Sequence, residues 1–418
     1  MSCRRVVITG LGVVAPNGIG KDAFWKGLVA GESAVDYITA FDASPYECKV
    51  AAEVRNFKPE EFMHPRRTKH RGRFSQFAVA AAKLAIGDSG VTLAQENPHR
   101  VMVCVGTSMN GLADVYEAAR DGFDRSGFDG IPRLSGLEYA AHAPASHISI
   151  ELGIAGQAMT LASACATGLD VIPWGYSQIA EGRADLVCAG GTDAPISSKF
   201  CFATLCALGV LSKFDDPPTR ASRPYDSRRE GLVLGEGSVV CVLEELEHAL
   251  TRNAGIYAEV LGFGNGNEGG YATRTDASER VLAEAIRGAL ARADLKPSDI
   301  DYINSHGNAV PDYDLIETRA FKQAFGDCAY NIPISSIKSM IGHAMGAGPS
   351  FQIAAACLSL RKSIIPPTIN LDTPDPECDL DYVPHRARVA RIRNVLINAH
   401  AMGGSHSVLI LGAFPRRG

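Results

Sequence analysis

Met1-Ser-Cys-Arg-Arg-Val-Val-Ile-Thr-Gly-Leu-Gly-Val-Val-Ala-Pro16 is the stretch on which the fold turns. Two arginines before an apolar run have the outline of a targeting segment. The run is short, β-branched and interrupted by Gly10, Gly12 and Pro16, so it reads instead as a first core strand over 6–10. Further short apolar runs predict strands over 101–106, 185–190, 257–262, 300–304, 394–398 and 407–411, the first two of them ending at glycine like the opening run. Between them, 75–90 and 279–292 read as helices, and a third helix should follow Cys165 to about Glu181. Continuous apolar strands alternating with helices predict an α/β protein whose central sheet is covered on both faces.

The chain's 418 residues, 46% hydrophobic and 21% charged, have ordinary globular composition. A net charge of −5 offers no global case for nucleic acid and none for a polybasic membrane anchor. No run reaches the ~20 apolar residues that span a bilayer. Eleven scattered cysteines without a CxxC pair argue against a disulfide framework and against a metal site, which sets a reduced, cytoplasmic compartment as the expectation. A polar loop over 213–229 with three prolines and a break near 251–255 punctuate the chain. The second divides it into halves, 1–253 and 254–418, between which no repetition is visible in the residues.

Thr160-Leu-Ala-Ser-Ala-Cys165-Ala-Thr-Gly168 places a cysteine among small residues just before a predicted helix. The helix dipole there favours thiolate, and the local backbone N–H groups can hold an oxyanion. A buried structural cysteine would fit the same segment. The second half offers partners. His306 follows a predicted strand and precedes Gly307. His343 stands between Gly342 and Gly346 before an Ala-rich segment, with Lys338 nearby and Glu317 able to neutralise that lysine. His64, His70 and His248 lie in polar surroundings and read as solvated. A thiolate could carry an acyl group while two neutral imidazoles donate to the enolate formed by decarboxylation. A Cys–His pair would equally suit a hydrolase.

Taken in order, several motifs resemble the β-ketoacyl-acyl carrier protein synthase family, in particular its type II elongating branch. They are Arg5 to Pro16, Arg73-Phe-Ser-Gln-Phe77, Ser163-Ala-Cys165-Ala-Thr-Gly168, Ser222-Arg-Pro-Tyr-Asp to Gly237, Ile365-Pro-Pro-Thr-Ile-Asn370 and Cys378-Asp-Leu-Asp-Tyr-Val-Pro384. The resemblance implies a thiolase fold, two similar βαβαβαββ halves in five layers, usually as a homodimer. The first half would carry Cys165 and the second His306 and His343. It implies Cys165 as acyl acceptor and His306 and His343 for malonyl decarboxylation. Lys338 would orient the His306 region, paired with Glu317, and the backbone N–H groups of Cys165 and Met402 would form the oxyanion hole. No bound cofactor is implied; the phosphopantetheine arm of an acyl carrier protein is part of the substrate.

Departures from the family pattern concentrate at the site. Asn308 and Val310 stand where relatives carry pantetheine-binding threonines, and loss of one neutral hydrogen bond costs about 1 kcal/mol. His400 and Met402 replace two phenylalanines, the second of them a gate beside the acyl-cysteine. His400 reads either as a hydrogen-bonded supporting residue or as a contact to an unusual polar or aryl acyl group. Pro173 should kink or end the helix after Cys165, whereas Pro349 falls in a first turn that tolerates it. Arg66, Arg67, Lys69 and Arg71 form a basic cluster suited to an acidic carrier protein. Two other readings remain: an acyltransferase or decarboxylase on the same fold, and a non-catalytic, chain-length-factor-like subunit of a ketosynthase heterodimer.

Overall fold

A computed structural model describes residues 4–69, 71–109, 111–270 and 279–415. Leaving aside inserted elements such as the helices Lys21–Ala30, Leu112–Ser126 and Lys199–Ala207, the core of the first half runs in chain order β1 (Val6–Ala15), α1 (Arg73–Ser89), β2 (Val101–Gly106), α2 (Ala143–Leu152), β3 (Ala158–Met159), α3 (Thr167–Ala180), β4 (Leu186–Asp193) and β5 (Gly237–Glu245). The second runs β6 (Ala258–Asn267), α4 (Arg280–Ala293), β7 (Tyr302–Asn304), α5 (Pro311–Phe325), β8 (Ile334–Ser335), α6 (Gly348–Lys362), β9 (Asn394–Ala401) and β10 (Ser405–Gly412). Both sequences are βαβαβαββ, and the strand orders, β3-β2-β4-β5-β1 and β8-β7-β9-β10-β6, are the same. Short antiparallel pairing of Val7 and Ile8 with Glu259 and Ala258 joins the two sheets edge to edge.

Helices α3 and α6 pack on each other and each touches strands of both halves, so they form the middle layer between the sheets. Helix α1 covers the outside of one sheet and α4 the outside of the other, giving the five-layered α-β-α-β-α thiolase fold. Helix α6 is buried along almost its whole length, as an inner layer must be.

The opening stretch extends beyond its expected end: β1 continues through Gly10 and Gly12 to Ala15. Its glycines do not terminate the strand. They let α1 lie directly on it, since a Cβ at Gly10 or Gly12 would strike the carbonyl of Ala85 or Ala81. The second half uses the same device, with Gly262 and Gly264 of β6 under Ala289 and Ala285 of α4. Each strand also carries a register irregularity immediately before its first such glycine, between Ile8 and Gly10 and between Val260 and Gly262. The repeat that the residues conceal is therefore present in backbone packing.

Pro173 lies inside α3 without ending it. Burial of the flanking Leu169, Val171, Ile172 and Ile179 between the sheets outweighs the missing backbone hydrogen bond. Pro349 sits in the first turn of α6, as expected.

Candidate active site

The site gathers at the N-terminal ends of the two middle helices. Cys165 sits two residues before α3, after Ala164, whose positive φ of 50° is a strained conformation for a residue with a Cβ. Gly168 allows this end of α3 to meet the other half, because a Cβ there would lie 2.5 Å from Ser350 Oγ and 2.8 Å from the Gly346 carbonyl. His343 precedes α6, and its loop is tied down by Asp193 at the end of β4. That buried carboxylate accepts from Gly346 N at 2.7 Å, Met109 N at 2.9 Å and the Thr107 hydroxyl at 2.6 Å.

His306 follows β7 and is held through its backbone from two sides. Glu317 Oε1 on α5 accepts from His306 N at 2.8 Å, while Lys338 Nζ donates to the His306 carbonyl at 2.6 Å. The two charged residues were expected to pair with each other. They make no direct contact: Glu317 takes the N–H and Lys338 the carbonyl of the same residue, with the Glu317 charge acting on Lys338 across that gap. Glu317 is completed by Tyr225 OH at 2.6 Å, Asn398 Nδ2 at 2.6 Å and Gly307 N at 3.0 Å. Lys338 also donates to Gln352 Oε1 at 3.2 Å. Through Nε2 that glutamine reaches the carbonyls of Asn304, Ser305 and Asn398.

Against this fixed frame, the ring nitrogens of His306 and His343 are buried with no hydrogen-bond partner, as is Nε2 of His400. The His306 and His343 rings are 5.2 Å apart, and the His400 ring stands 4.2 Å from His306. Burial above all, and then the Lys338 charge, holds His306 and His343 neutral, with affinities for protons well below the usual histidine range. Burial pushes Lys338 itself down to about 8.

Cys165 departs from expectation. Burial, with the Asp193 carboxylate second, pushes its thiol up to about 12, so the resting group is a thiol despite the helix end. Opposing these are Lys338 and the backbone N–H groups of Met402 and Cys165, both directed at the sulfur. Those are the two groups expected to form an oxyanion hole.

Asn308, Val310, His400 and Met402 all line the cavity at Cys165 and His343, beside Leu205 and Tyr313. Its volume, about 30 Å³, admits little more than a water molecule. The Asn308 side chain accepts from Val310 N at 3.1 Å.

The expected basic cluster is divided. Arg67, Arg71 and Lys83 converge on the carboxylate of Glu151, at 2.6, 3.0 and 3.1 Å. Arg71 is buried by that contact, whereas Arg66 and Lys69 are exposed. His64 is exposed, His70 falls outside the described residues, and His248 is no solvated group, since it bonds Glu244 at 2.6 Å and Glu96 at 3.1 Å. The ten described cysteines are free, no described group of His, Cys, Asp and Glu could hold a metal ion, and no described helix is long and apolar enough to cross a membrane.

Asp193, Tyr225, Gln352, Asn398, Tyr313 and His406 were not singled out from sequence. Tyr225 lay within the Ser222 to Gly237 motif and Asn398 at the end of a predicted strand. Asp193 had a readable signal, an acid at the carboxyl end of an apolar strand. Gln352, in an Ala-rich helix, had none.

A buried thiol under two N–H groups shares its cavity with the neutral His343, and the neutral His306 stands beside that ring, all on a thiolase fold of the kind used by condensing enzymes. Residues 3–249 match the beta-ketoacyl synthase N-terminal domain and residues 257–372 the C-terminal domain, so the chain belongs to the β-ketoacyl synthase family, whose members are condensing acyltransferases. It is 42% identical to the tetracenomycin polyketide synthase ketoacyl synthase alpha subunit of Streptomyces glaucescens, over 98% of this chain and 97% of that one. It is 39% identical to 3-oxoacyl-[acyl-carrier-protein] synthase 2 of Coxiella burnetii, over 98% and 99%. A solved type II polyketide synthase acyl-carrier protein in complex with its ketosynthase, bound to the hexaketide, superposes with a TM-score of 0.91 at 32% identity, covering 99% of this chain and 100% of that one.

Proposed function

We propose that the chain performs decarboxylative Claisen condensation between an acyl group on Cys165 and a malonyl unit on an acyl carrier protein, in polyketide or fatty-acid-type biosynthesis. The observation that carries this reading is a pair of unpartnered, neutral imidazoles 5.2 Å apart, of which His343 shares the cavity of the Cys165 thiol.

In the first half-reaction the Cys165 sulfur attacks the acyl thioester, and the developing oxyanion takes the N–H groups of Cys165 and Met402. The phosphopantetheine thiolate leaves and accepts the proton that Cys165 gives up. In the second, the malonyl thioester oxygen sits between His306 and His343. The bond from the α-carbon to the carboxylate breaks, its electron pair forms the enolate, and CO₂ departs. The α-carbon then attacks the acyl-cysteine, and Cys165 leaves as thiolate and recovers a proton from solvent. No cofactor enters this sequence. Lys338 and Glu317 are positioning residues, and Asn308 and Val310 border the pantetheine path.

Residues 1–253 would supply the nucleophile and 254–418 the imidazoles, with the carrier protein held by Arg66 and Lys69 more than by Arg67 and Arg71. Strand β3 is a sheet edge, and Tyr116, Phe128, Tyr139 and Phe200 leave an exposed apolar face on its half. We take this face as the contact with a second subunit, either another copy or a chain-length-factor-like partner, in the cytoplasm. Intact-protein mass spectrometry after incubation with acyl- and malonyl-carrier protein tests the reaction. An adduct on Cys165 that disappears as ketoacyl product forms supports it. An adduct without a new carbon–carbon bond identifies an acyltransferase, and no adduct a non-catalytic subunit.

A further inference from the structure

Resting on this reaction, the inference deepens it by assigning a group to the extender carboxylate. Three acceptor centres meet at the site during turnover. The acyl-cysteine carbonyl has the N–H groups of Cys165 and Met402, and the malonyl thioester oxygen has His306 and His343. The malonyl carboxylate, the most strongly hydrated of the three, has no donor among these four.

Among the described residues, His400 is the one remaining histidine that both lines the Cys165 cavity and carries a buried imidazole nitrogen, Nε2, without a partner. Its ring is clamped on three sides, by His306 at 4.2 Å, Tyr313 at 5.1 Å and His406 at 5.8 Å between centroids. His406, opposite it across β9 and β10, is itself anchored on Glu268 Oε1 at 2.7 Å. Such a clamp fixes the direction of Nε2. A phenyl ring would fill the same space without burying a bare polar nitrogen, so packing alone does not account for an imidazole.

We propose that His400 recognises the extender unit, donating a hydrogen bond from Nε2 to the malonyl carboxylate, with the His406–Glu268 pair as its support. The contact belongs to the malonyl state alone and vanishes when CO₂ leaves. His400 is therefore a specificity-determining residue that selects a carboxylated extender over an acetyl-type thioester.

The test uses the full-length protein with malonyl- and acyl-carrier protein, comparing wild type with H400F, H400M and H400Q. Expected for H400F and H400M is a rise of about tenfold in the KM for malonyl-carrier protein, with a much smaller change in the rate of Cys165 acylation. H400Q, which keeps an N–H donor, should recover most of the malonyl affinity. H400M keeps the test alive should H400F fail to fold. A malonyl KM within twofold of wild type in either apolar variant overturns the proposal. So does a parallel fall in acylation, which would place His400 on the acyl chain or in a purely structural role. Wild type forming neither CO₂ nor ketoacyl product would instead defeat the condensation reading itself.

Discussion

Lys338 Nζ lies 2.6 Å from the carbonyl oxygen of His306, and the lysine therefore grips the backbone of the histidine and not its ring. The ring nitrogens stay free for substrate, and burial, with the ammonium second, holds the imidazole neutral. His306→Ala should lower decarboxylation by 10²- to 10³-fold or thereabouts, the range for loss of one oxyanion donor, while acylation of Cys165 persists. Lys338→Met should impair decarboxylation without touching substrate directly. Burial leaves Lys338 with a folded value of about 8 against 10.5 unfolded, so its native state is short of protons between those limits. The lysine's contribution to stability then rises with pH across that window. The stability advantage of Lys338→Met over wild type should shrink from pH 8 to 10, measured by chemical denaturation.

Cys165, with its thiol near 12, should show no thiolate plateau around neutrality. Alkylation of the Cys165 peptide, followed by mass spectrometry, should quicken about tenfold per pH unit up to pH 9. A plateau between pH 6 and 8 would mean that the helix end and the two N–H groups outweigh burial.

Gly168→Ala should loosen the junction of the middle helices. Its added methyl meets Ser350 and the Gly346 carbonyl, and overpacking of this kind costs about 1–3 kcal/mol. Loss of activity should exceed loss of stability, since Gly346 also anchors the His343 loop through Asp193.

The basic cluster should separate into two phenotypes. Arg66→Glu with Lys69→Glu should raise the KM for carrier-bound acyl groups several-fold and spare a small acyl thioester. Arg71→Ala should destabilise the fold, because it removes a buried partner of Glu151. Burial would raise Glu151, but its hydrogen bonds to Arg67 and Lys83 bring it down to about 2. The stabilisation from Glu151 is thus complete above pH 4.5 and disappears as pH falls toward 2. Acid denaturation curves of wild type and Arg71→Ala should converge over that interval.

Met402 is one wall of the narrow cavity at Cys165. Met402→Ala should speed acylation by long acyl groups relative to short ones, and Met402→Phe should do the reverse, read by competition between carrier-bound chains.

Much of the site was legible because its chemistry depends on residue type next to a turn. Cys165 beside small residues, His306 before Gly307 and His343 after Gly342 each announce a reactive group where backbone comes close. Gln352 could not be read, because one polar residue in an Ala-rich helix looks like any solvated position until the helix is known to be buried on every side. Glu317 and Lys338 were found, but that each would take a different backbone group of His306 was not readable, since spacing along the chain does not say which main-chain atom a side chain will meet. His400 was left between two roles, and its place beside His306 on the cavity wall is a fact of strand register.

The opening strand shows the same division. Its apolar, β-branched residues determined a buried strand and excluded a membrane span, because hydrophobic pattern acts locally. That Gly10 and Gly12 continue the strand, and that Gly262 and Gly264 repeat the arrangement in the other half, was decided only by the helices laid across them. Close approach of two backbones is a property of the pair, and neither partner records it alone.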